Sequence, residues 1–506
     1  MSGKNRENVL MFLAPLCGGL LLLFSFPPLE LYVTPFIALV PLLYLIDRAR
    51  THRRAAAGTM LFGMVFMLGL LYWMTLYTKA GYILSVLIMS SVMTLVSISV
   101  RSLRDRLGIP FTVGFPLVWT AVSYLHAHGD VAFPWGQLSY TLTYTPVWLQ
   151  IASVTGPYGV TMWLAGINAV VYSIVAGSAD RKKMIGALAI LLAVPLAFGL
   201  ARYGMQASAE SEAGELRVAF IQPSIPQEIK WAPEMRDSTF LILRNLSLEQ
   251  KSESPQLIVW PEAATPAHLR IELKYQQFVS DVARQLDAYL ITGSPEYRYD
   301  SLAQKYRSYN SAFSFSPGGR FLQGYDKIHL VPISERFPYE DVFTFLQEID
   351  VGGSHFVPGE NFTVFEMERE QERFGVLICF ESIFPELSRR FVAEGATFLV
   401  NVTNDAWFER TTAAYQHSSF LVLRAIEQGR DIVRSANTGV SAFYDRLGRR
   451  RGATKLFERT AAVDTIHTYT NHTLYYHLGD WPAHIAWVGT LLLLAISWSR
   501  GKKRKE

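Results

Sequence analysis

One cysteine in this chain sits where a nucleophile could work. Cys379 closes the apolar run Gly375-Val376-Leu377-Ile378-Cys379 and is followed by Phe380-Glu381-Ser382. On a strand-to-helix turn a thiol is exposed, nearby backbone N–H groups can receive an oxyanion, and the helix N-terminus favours the thiolate. Read alone, the same residue also fits a buried structural cysteine, the commoner fate of a free thiol. Glu262 follows a second apolar run, Leu257-Ile258-Val259-Trp260-Pro261-Glu262. It could serve as a general base if burial raises its proton affinity, or as a residue interacting with a helix start. Lys327 lies in Tyr325-Asp326-Lys327-Ile328-His329-Leu330-Val331-Pro332. It could steady an oxyanion and a thiolate, or be a surface lysine beside Asp326. Glu335 could hold Lys327 charged and aimed, or pair with Arg336. His329, His355 and His417 offer a Cys–His alternative, but no spacing selects one, and a structural role is the commoner one for each. The only two cysteines, Cys17 and Cys379, lie in unlike contexts, and no CxxC or His-rich spacing is present, so neither a disulfide framework nor a metal or cofactor site is expected.

Two kinds of scaffold must position these groups. The chain has 506 residues, long enough for two or more units, and only 18% are charged, below the roughly 25% of soluble domains. Eight apolar runs fall near 9–26, 31–46, 55–77, 82–100, 107–125, 158–177, 184–200 and 482–498. A span needs roughly 17–25 residues in helical form to cross about 30 Å of hydrocarbon. The second run carries Pro35 and Pro41, so its edges are loose. The first follows Lys4 and Arg6 as a signal peptide would, but Phe26-Pro27-Pro28 stands where a small-x-small cleavage site belongs. Cys17, within that run, reads as a small core residue.

Lys and Arg in the short loops set the orientation. Lys4 and Arg6, Arg48 to Arg54, Arg101 to Arg106, Arg181 to Lys183 and the tail Arg500 to Lys505 all gather on one side; the opposite short loops offer only Lys79. That basic side is cytoplasmic by this rule. Residues 1–204 then form a bundle of seven spans, 205–481 an extracytoplasmic domain, and 482–506 a returning span with a basic cytoplasmic tail. The tail reads as a topology anchor, and no nucleic-acid partner is expected. The 126–157 stretch has no Lys or Arg but carries Phe133, Trp135, Tyr140, Tyr144 and Trp148. It reads as an interfacial anchor, or more sharply as part of a lipid entry.

Between 205 and 481 charges become frequent and short β-like runs alternate with helical ones. Strands are expected at 216–222, 257–260, 289–293, 311–316, 374–379, 397–402 and 431–436, with helices near 234–251, 268–286, 382–394 and 412–428. Apolar strands alternating with helices imply a buried sheet covered by helices.

Taken together, Trp260-Pro261-Glu262, Tyr325-Asp326-Lys327-Ile328-His329-Leu330 and Cys379-Phe380-Glu381 resemble the Glu–Lys–Cys motifs of the nitrilase superfamily. Asn404-Asp405-Ala406-Trp407-Phe408, Gln416-His417, Arg424-Ala425-Ile426-Glu427 and Asn437-Thr438-Gly439-Val440-Ser441 extend the match. A nitrilase-like domain between membrane spans resembles the apolipoprotein N-acyltransferase family, over essentially the whole chain. The resemblance implies an α/β nitrilase-like αββα sandwich (CN hydrolase) domain carried on a multi-span α-helical membrane bundle of eight spans. It implies an enzyme of the bacterial cytoplasmic (inner) membrane, multi-pass, with its catalytic domain periplasmic and both termini cytoplasmic. The implied reaction carries a fatty acyl chain from a phospholipid, usually phosphatidylethanolamine, to the α-amine of a diacylglyceryl apolipoprotein. Glu262, Lys327 and Cys379 are the implied catalytic groups, a backbone N–H near Phe380 helps Lys327 hold the oxyanion, Glu335 orients Lys327, Glu381 supports the elbow, and Trp231 matches a substrate-binding tryptophan.

Two positions depart from the family pattern. Phe380 stands where tyrosine usually follows the cysteine, which leaves an aromatic wall without its hydroxyl. Ser334 and Arg336 flank Glu335 where glycine and an aromatic are common, so the lid is expected to differ. Arg424 and Glu427, three apart on a helix, read as a structural ion pair, and Asn404 and Asp405 as site scaffolding. A membrane-anchored amidase would use the same triad on a small soluble amide, but one anchor helix would suffice for it. A transporter would carry buried charges in its spans, which this chain lacks.

Overall fold

The computed structural model describes residues 3–177, 180–301, 304–340, 342–343 and 355–503. The side chains of Lys4 and Arg6, and the tail charges from Lys502 onward, lie outside the described residues. The chain forms two compact units: Met1–His128 with Phe133–Gly204 and Leu474–Glu506, and Gly129–Ala132 with Met205–Thr473.

The first unit is helical. Among the described residues four helices are long and apolar enough to cross a membrane: Lys79–Leu107, Ala152–Val175, Arg181–Gly204 and Trp481–Gly501. Val9–Leu23 and Phe111–Leu125 are shorter apolar helices. The apolar run at 31–46 is not one span-length helix. It divides into a turn at Thr34–Phe36 and a nine-residue helix, Val40–Arg48, each with a proline in its first positions. Proline lacks the N–H a continuing helix needs but suits a first turn, so Pro35 and Pro41 each begin a short segment. Nine residues rise only about 13 Å. Asn168 satisfies this broken backbone, accepting from the Leu39 N–H and donating to the Pro35 carbonyl, both at 2.9 Å. Helix Ala152–Val175 is kinked at Gly156, where φ is +63°. A Cβ there would also collide with the Tyr475 ring, so the position needs glycine on both counts.

One expectation fails in this unit. Cys17 is exposed on the outer face of its helix rather than a core residue. Trp135 and Tyr140 are buried, and Trp135 packs on Phe133 and Trp73 with centroids 5.5 and 5.1 Å apart.

The second unit is a two-sheet sandwich. Its strands are β1 (Gly214–Gln222), β2 (Leu257–Val259), β3 (Tyr289–Asp300), β4 (Lys305–Phe315), β5 (Phe321–Asp326), β6 (Val364–Met367), β7 (Glu372–Ile378), β8 (Phe398–Thr403), β9 (Ile432–Ala436), β10 (Ala442–Tyr444), β11 (Arg450–Arg451) and β12 (Thr460–Thr468). One sheet runs β12-β1-β2-β3-β4-β5, the other β11-β10-β9-β8-β7-β6. In each, three central strands are parallel and the outer ones antiparallel. Parallel neighbours require crossovers. Helices Pro233–Glu249 and Leu273–Leu286 supply them in the first sheet, Pro385–Ala393 and Ala413–Gln428 in the second. The strands are apolar on both faces because each sheet packs a helix layer outside and the other sheet inside. Phe220 on β1 meets Phe443 on β10 with centroids 5.1 Å apart, and the Ser435 hydroxyl donates to the Ile221 carbonyl. All seven expected strands and four expected helices form; β5, β6, β10, β11 and β12 had escaped the sequence reading, being short, polar or edge strands.

Candidate active site

In open parallel sheets, chemistry gathers beyond the carboxyl ends of the strands. Here Glu262 follows β2, Lys327 follows β5, Cys379 follows β7 and Asn404 follows β8.

Glu262 is buried, and both its oxygens accept hydrogen bonds. The Asn310 side chain donates to Oε1 at 2.7 Å, and the Asn404 backbone N–H to Oε2 at 2.9 Å. Its backbone lies hard against β3. A Cβ on Gly293 would stand 2.5 Å from the Glu262 Cα, so the close approach depends on glycine. Lys327 is fully buried. Its Nζ is 2.9 and 2.8 Å from the two Glu335 oxygens and 3.9 Å from Glu262 Oε1. Its backbone N–H donates to the Asn310 carbonyl at 2.8 Å, so one asparagine braces both the acid and the lysine. Burial pulls the Lys327 ammonium down, but Glu335, Cys379 and Glu262 outweigh it and the net shift is upward. The alternative pairings dissolve: Asp326 is taken by Ser311 and Arg298, and Arg336 pairs with Glu340 at 3.0 Å. Glu335 is further fixed by the Val331 N–H at 2.8 Å.

Cys379 is half-buried, with φ at +51°, a left-handed conformation that costs a non-glycine residue roughly 1–2 kcal/mol. Such strain persists because the surroundings over-determine it. Burial pushes the Cys379 thiol well up and Glu262 adds to this, while Lys327 and the Thr403 hydroxyl oppose. A thiol raised in this way needs a base to release its proton.

Glu381, buried in the elbow, accepts from four donors: Tyr325 hydroxyl at 2.7 Å, Ile328 N–H at 2.7 Å, His329 N–H at 3.2 Å and Ile378 N–H at 2.7 Å. It thus ties the lysine loop to the strand that carries the cysteine. Burial still dominates, and its carboxyl is pushed up to about 7. His417 does not approach the cysteine as a dyad base would. Its Nε2 faces the Cys379 carbonyl oxygen at 3.0 Å, and its Nδ1 faces Asp405 at 2.8 Å. Asp405 is burdened by burial, but Arg434, at 2.6 Å, and His417 hold it far below the usual carboxylate range.

Phe380 is buried and packs edge-on to Phe384, with centroids 5.1 Å apart. Trp231 ends helix Gln227–Lys230 half-exposed, its ring 5.9 Å from Lys230 Nζ. Arg424 and Glu427 pair at 2.7 Å with both side chains fully buried.

Sequence reasoning missed Asn310 and Lys230. Asn310 lies one residue before the apolar run from which β4 was read. Lys230 is buried, and its Nζ reaches the Glu262 carbonyl at 3.4 Å and Asn404 Oδ1 at 3.3 Å. Burial, partly opposed by Glu262, lowers it to about 8. A lysine flanked by Ile229 and Trp231 was the available signal.

The family model of the apolipoprotein N-acyltransferase N-terminal domain matches residues 18–170, and that of carbon-nitrogen hydrolase matches residues 217–470. An apolipoprotein N-acyltransferase of Geobacter metallireducens is 35% identical, covering 97% of this chain and 95% of that protein. One of Chlorobaculum tepidum is 30% identical, covering 96% of each. A solved amidase of the nitrilase superfamily from Nesterenkonia sp. AN1 is 17% identical, covers 54% of this chain and 97% of its own, and aligns with a TM-score of 0.40.

Proposed function

Since the chain belongs to the apolipoprotein N-acyltransferase family, we propose that it N-acylates lipoproteins through a thioester on Cys379, with a membrane phospholipid, phosphatidylethanolamine foremost, as donor. The observation that carries this reading is the meeting of a buried Glu262 and a buried Lys327, 3.9 Å apart, at the strand ends that also present the left-handed Cys379.

In the first half-reaction the Glu262 carboxylate takes the thiol proton as Sγ attacks the acyl ester carbon. Lys327 and the Phe380 N–H hold the tetrahedral oxyanion. The carbon–alkoxy bond breaks, Glu262 returns the proton to the leaving lysophospholipid, and the thioester remains. In the second, the α-amine of diacylglyceryl cysteine loses a proton to Glu262 and attacks the thioester. The carbon–sulfur bond breaks, the proton goes back to Cys379, and an amide is formed. This is ping-pong chemistry. Glu335 keeps Lys327 charged and aimed, Glu381 joins the lysine loop to the elbow, Phe380 walls the site, and Trp231 contacts substrate. The eight apolar runs embed the protein in the bacterial inner membrane, with residues 205–481 on the periplasmic side and both termini cytoplasmic; the four long apolar helices are compatible with this.

Incubation with phospholipid is expected to leave a fatty acyl mass on Cys379 that hydroxylamine removes, and Cys379→Ser to abolish it without disturbing membrane insertion. A diacylglyceryl-cysteinyl peptide should then become triacylated. Hydrolysis of small amides without peptide acylation would instead mark a membrane-anchored amidase.

A further inference from the structure

The Cys379–Phe380 peptide has two ends, and only one of them faces the reaction. A trans peptide is planar, with its C=O and N–H pointing in opposite directions. Fixing the carbonyl therefore fixes where the N–H points. The Cys379 carbonyl oxygen accepts from His417 Nε2 at 3.0 Å. A carbonyl only accepts, so Nε2 carries the proton of that bond. The ring is held from behind by Asp405 at 2.8 Å, and Asp405 by Arg434 at 2.6 Å and the Thr403 hydroxyl at 2.8 Å. Arg434 is anchored in turn by the Val440 carbonyl at 2.9 Å and by Asn401. His417, Asp405 and Arg434 are all buried. The proposed chemistry uses none of these three residues, yet they converge on the carbonyl of the left-handed Cys379. Left-handed φ at a cysteine requires such a restraint.

We propose that His417, braced by Asp405 and Arg434, is a positioning residue for the oxyanion site: its hydrogen bond to the Cys379 carbonyl turns the Phe380 N–H toward the acyl carbonyl under attack. This rests on the reading that Cys379 is acylated.

The test uses the full chain in detergent or bilayer and two rates at one pH. Acylation of Cys379 by phospholipid passes through an oxyanion; alkylation of the same thiol by iodoacetamide does not. His417→Ala is expected to slow acylation by roughly 10²–10³-fold, the loss typical of one oxyanion donor, with alkylation within about threefold of wild type. His417→Gln, which keeps a donor, should recover most of the acylation rate. Should the alanine variant yield too little folded protein, His417→Gln against the shorter His417→Asn makes the same comparison. Equal losses in both rates would mean that His417 only keeps the elbow folded, and unchanged acylation would mean that it positions nothing; either overturns the proposal. A wild-type protein that is alkylated but never acylated overturns the underlying reading, and this one with it.

Discussion

Removing the charge of Glu335 should disable the enzyme by freeing Lys327 to take the wrong partner. Lys327 is fully enclosed, with Glu335 at 2.8 Å and Glu262 at 3.9 Å. At an effective dielectric near 20, these pairs attract with about 6 and about 4 kcal/mol respectively. In Glu335→Gln the larger attraction vanishes while shape and one acceptor remain. Among the described residues the buried ammonium then has Glu262 as its one carboxylate within 4 Å, which would draw the lysine off the proposed oxyanion position and the glutamate off the thiol. Breaking one partner of a buried pair destabilises by roughly 3–5 kcal/mol when nothing replaces it, and Gln should soften this. Displacing one oxyanion donor lowers the rate by roughly 10²–10³-fold. The pH sign follows from the upward shift of Lys327. Its favourable contribution is complete below the unfolded lysine value and is lost only as pH rises through the higher folded one. Without Glu335 the folded value drops, so the alkaline limb of the acylation rate should move to lower pH. The assay is single-turnover acylation of Cys379, followed by intact-protein mass across pH 6–11. A Gln variant that acylates within about threefold of wild type, with an unmoved alkaline limb, refutes this account of how Lys327 is held.

Other perturbations follow from the same geometry. Cys379→Gly should abolish the adduct yet raise the melting temperature, since glycine relieves a left-handed strain of roughly 1 kcal/mol; an unchanged or lower melting point would show the elbow to be unstrained. Glu381, raised to about 7, favours the fold most when protonated, and that advantage is lost as pH rises through 7. The stability of wild type relative to Glu381→Gln should therefore grow by roughly 3 kcal/mol between pH 8 and pH 4, read from paired denaturant melts. Lys230, lowered to about 8, burdens the fold below that pH and is relieved above it. The melting-temperature difference between Lys230→Met and wild type should shift in favour of wild type from pH 8 to 10, and a flat difference would contradict it.

Much of this protein is local in origin. Hydrophobic periodicity marked the alternation of strands and helices, because a period of two or of 3.6 is a property of neighbouring residues. The ends of the apolar runs pointed to Cys379, Glu262 and Lys327, because a residue just past a buried strand is where a side chain emerges at a sheet edge. Which residues meet there is a different matter. Glu262 and Asn404 are 142 positions apart, and their contact exists only because β2 and β8 bring their ends together from opposite sheets. Asn310 and Lys230 reach the site from a strand and a short helix, and only the apolar neighbours Ile229 and Trp231 hinted in the sequence that Lys230 is buried. Glu335 pairs with Lys327 rather than with the adjacent Arg336 because Glu340 takes the arginine, a contact that only the fold creates. His417 was legible as a histidine with chemical potential, but only the tertiary structure aimed it at the Cys379 carbonyl instead of the thiol. Among the loop aromatics, the Phe133 and Trp73 rings that cover Trp135 are contacts the sequence counts but does not pair. Element type is set by short-range periodicity, and partner identity by strand order and packing, which no local window contains.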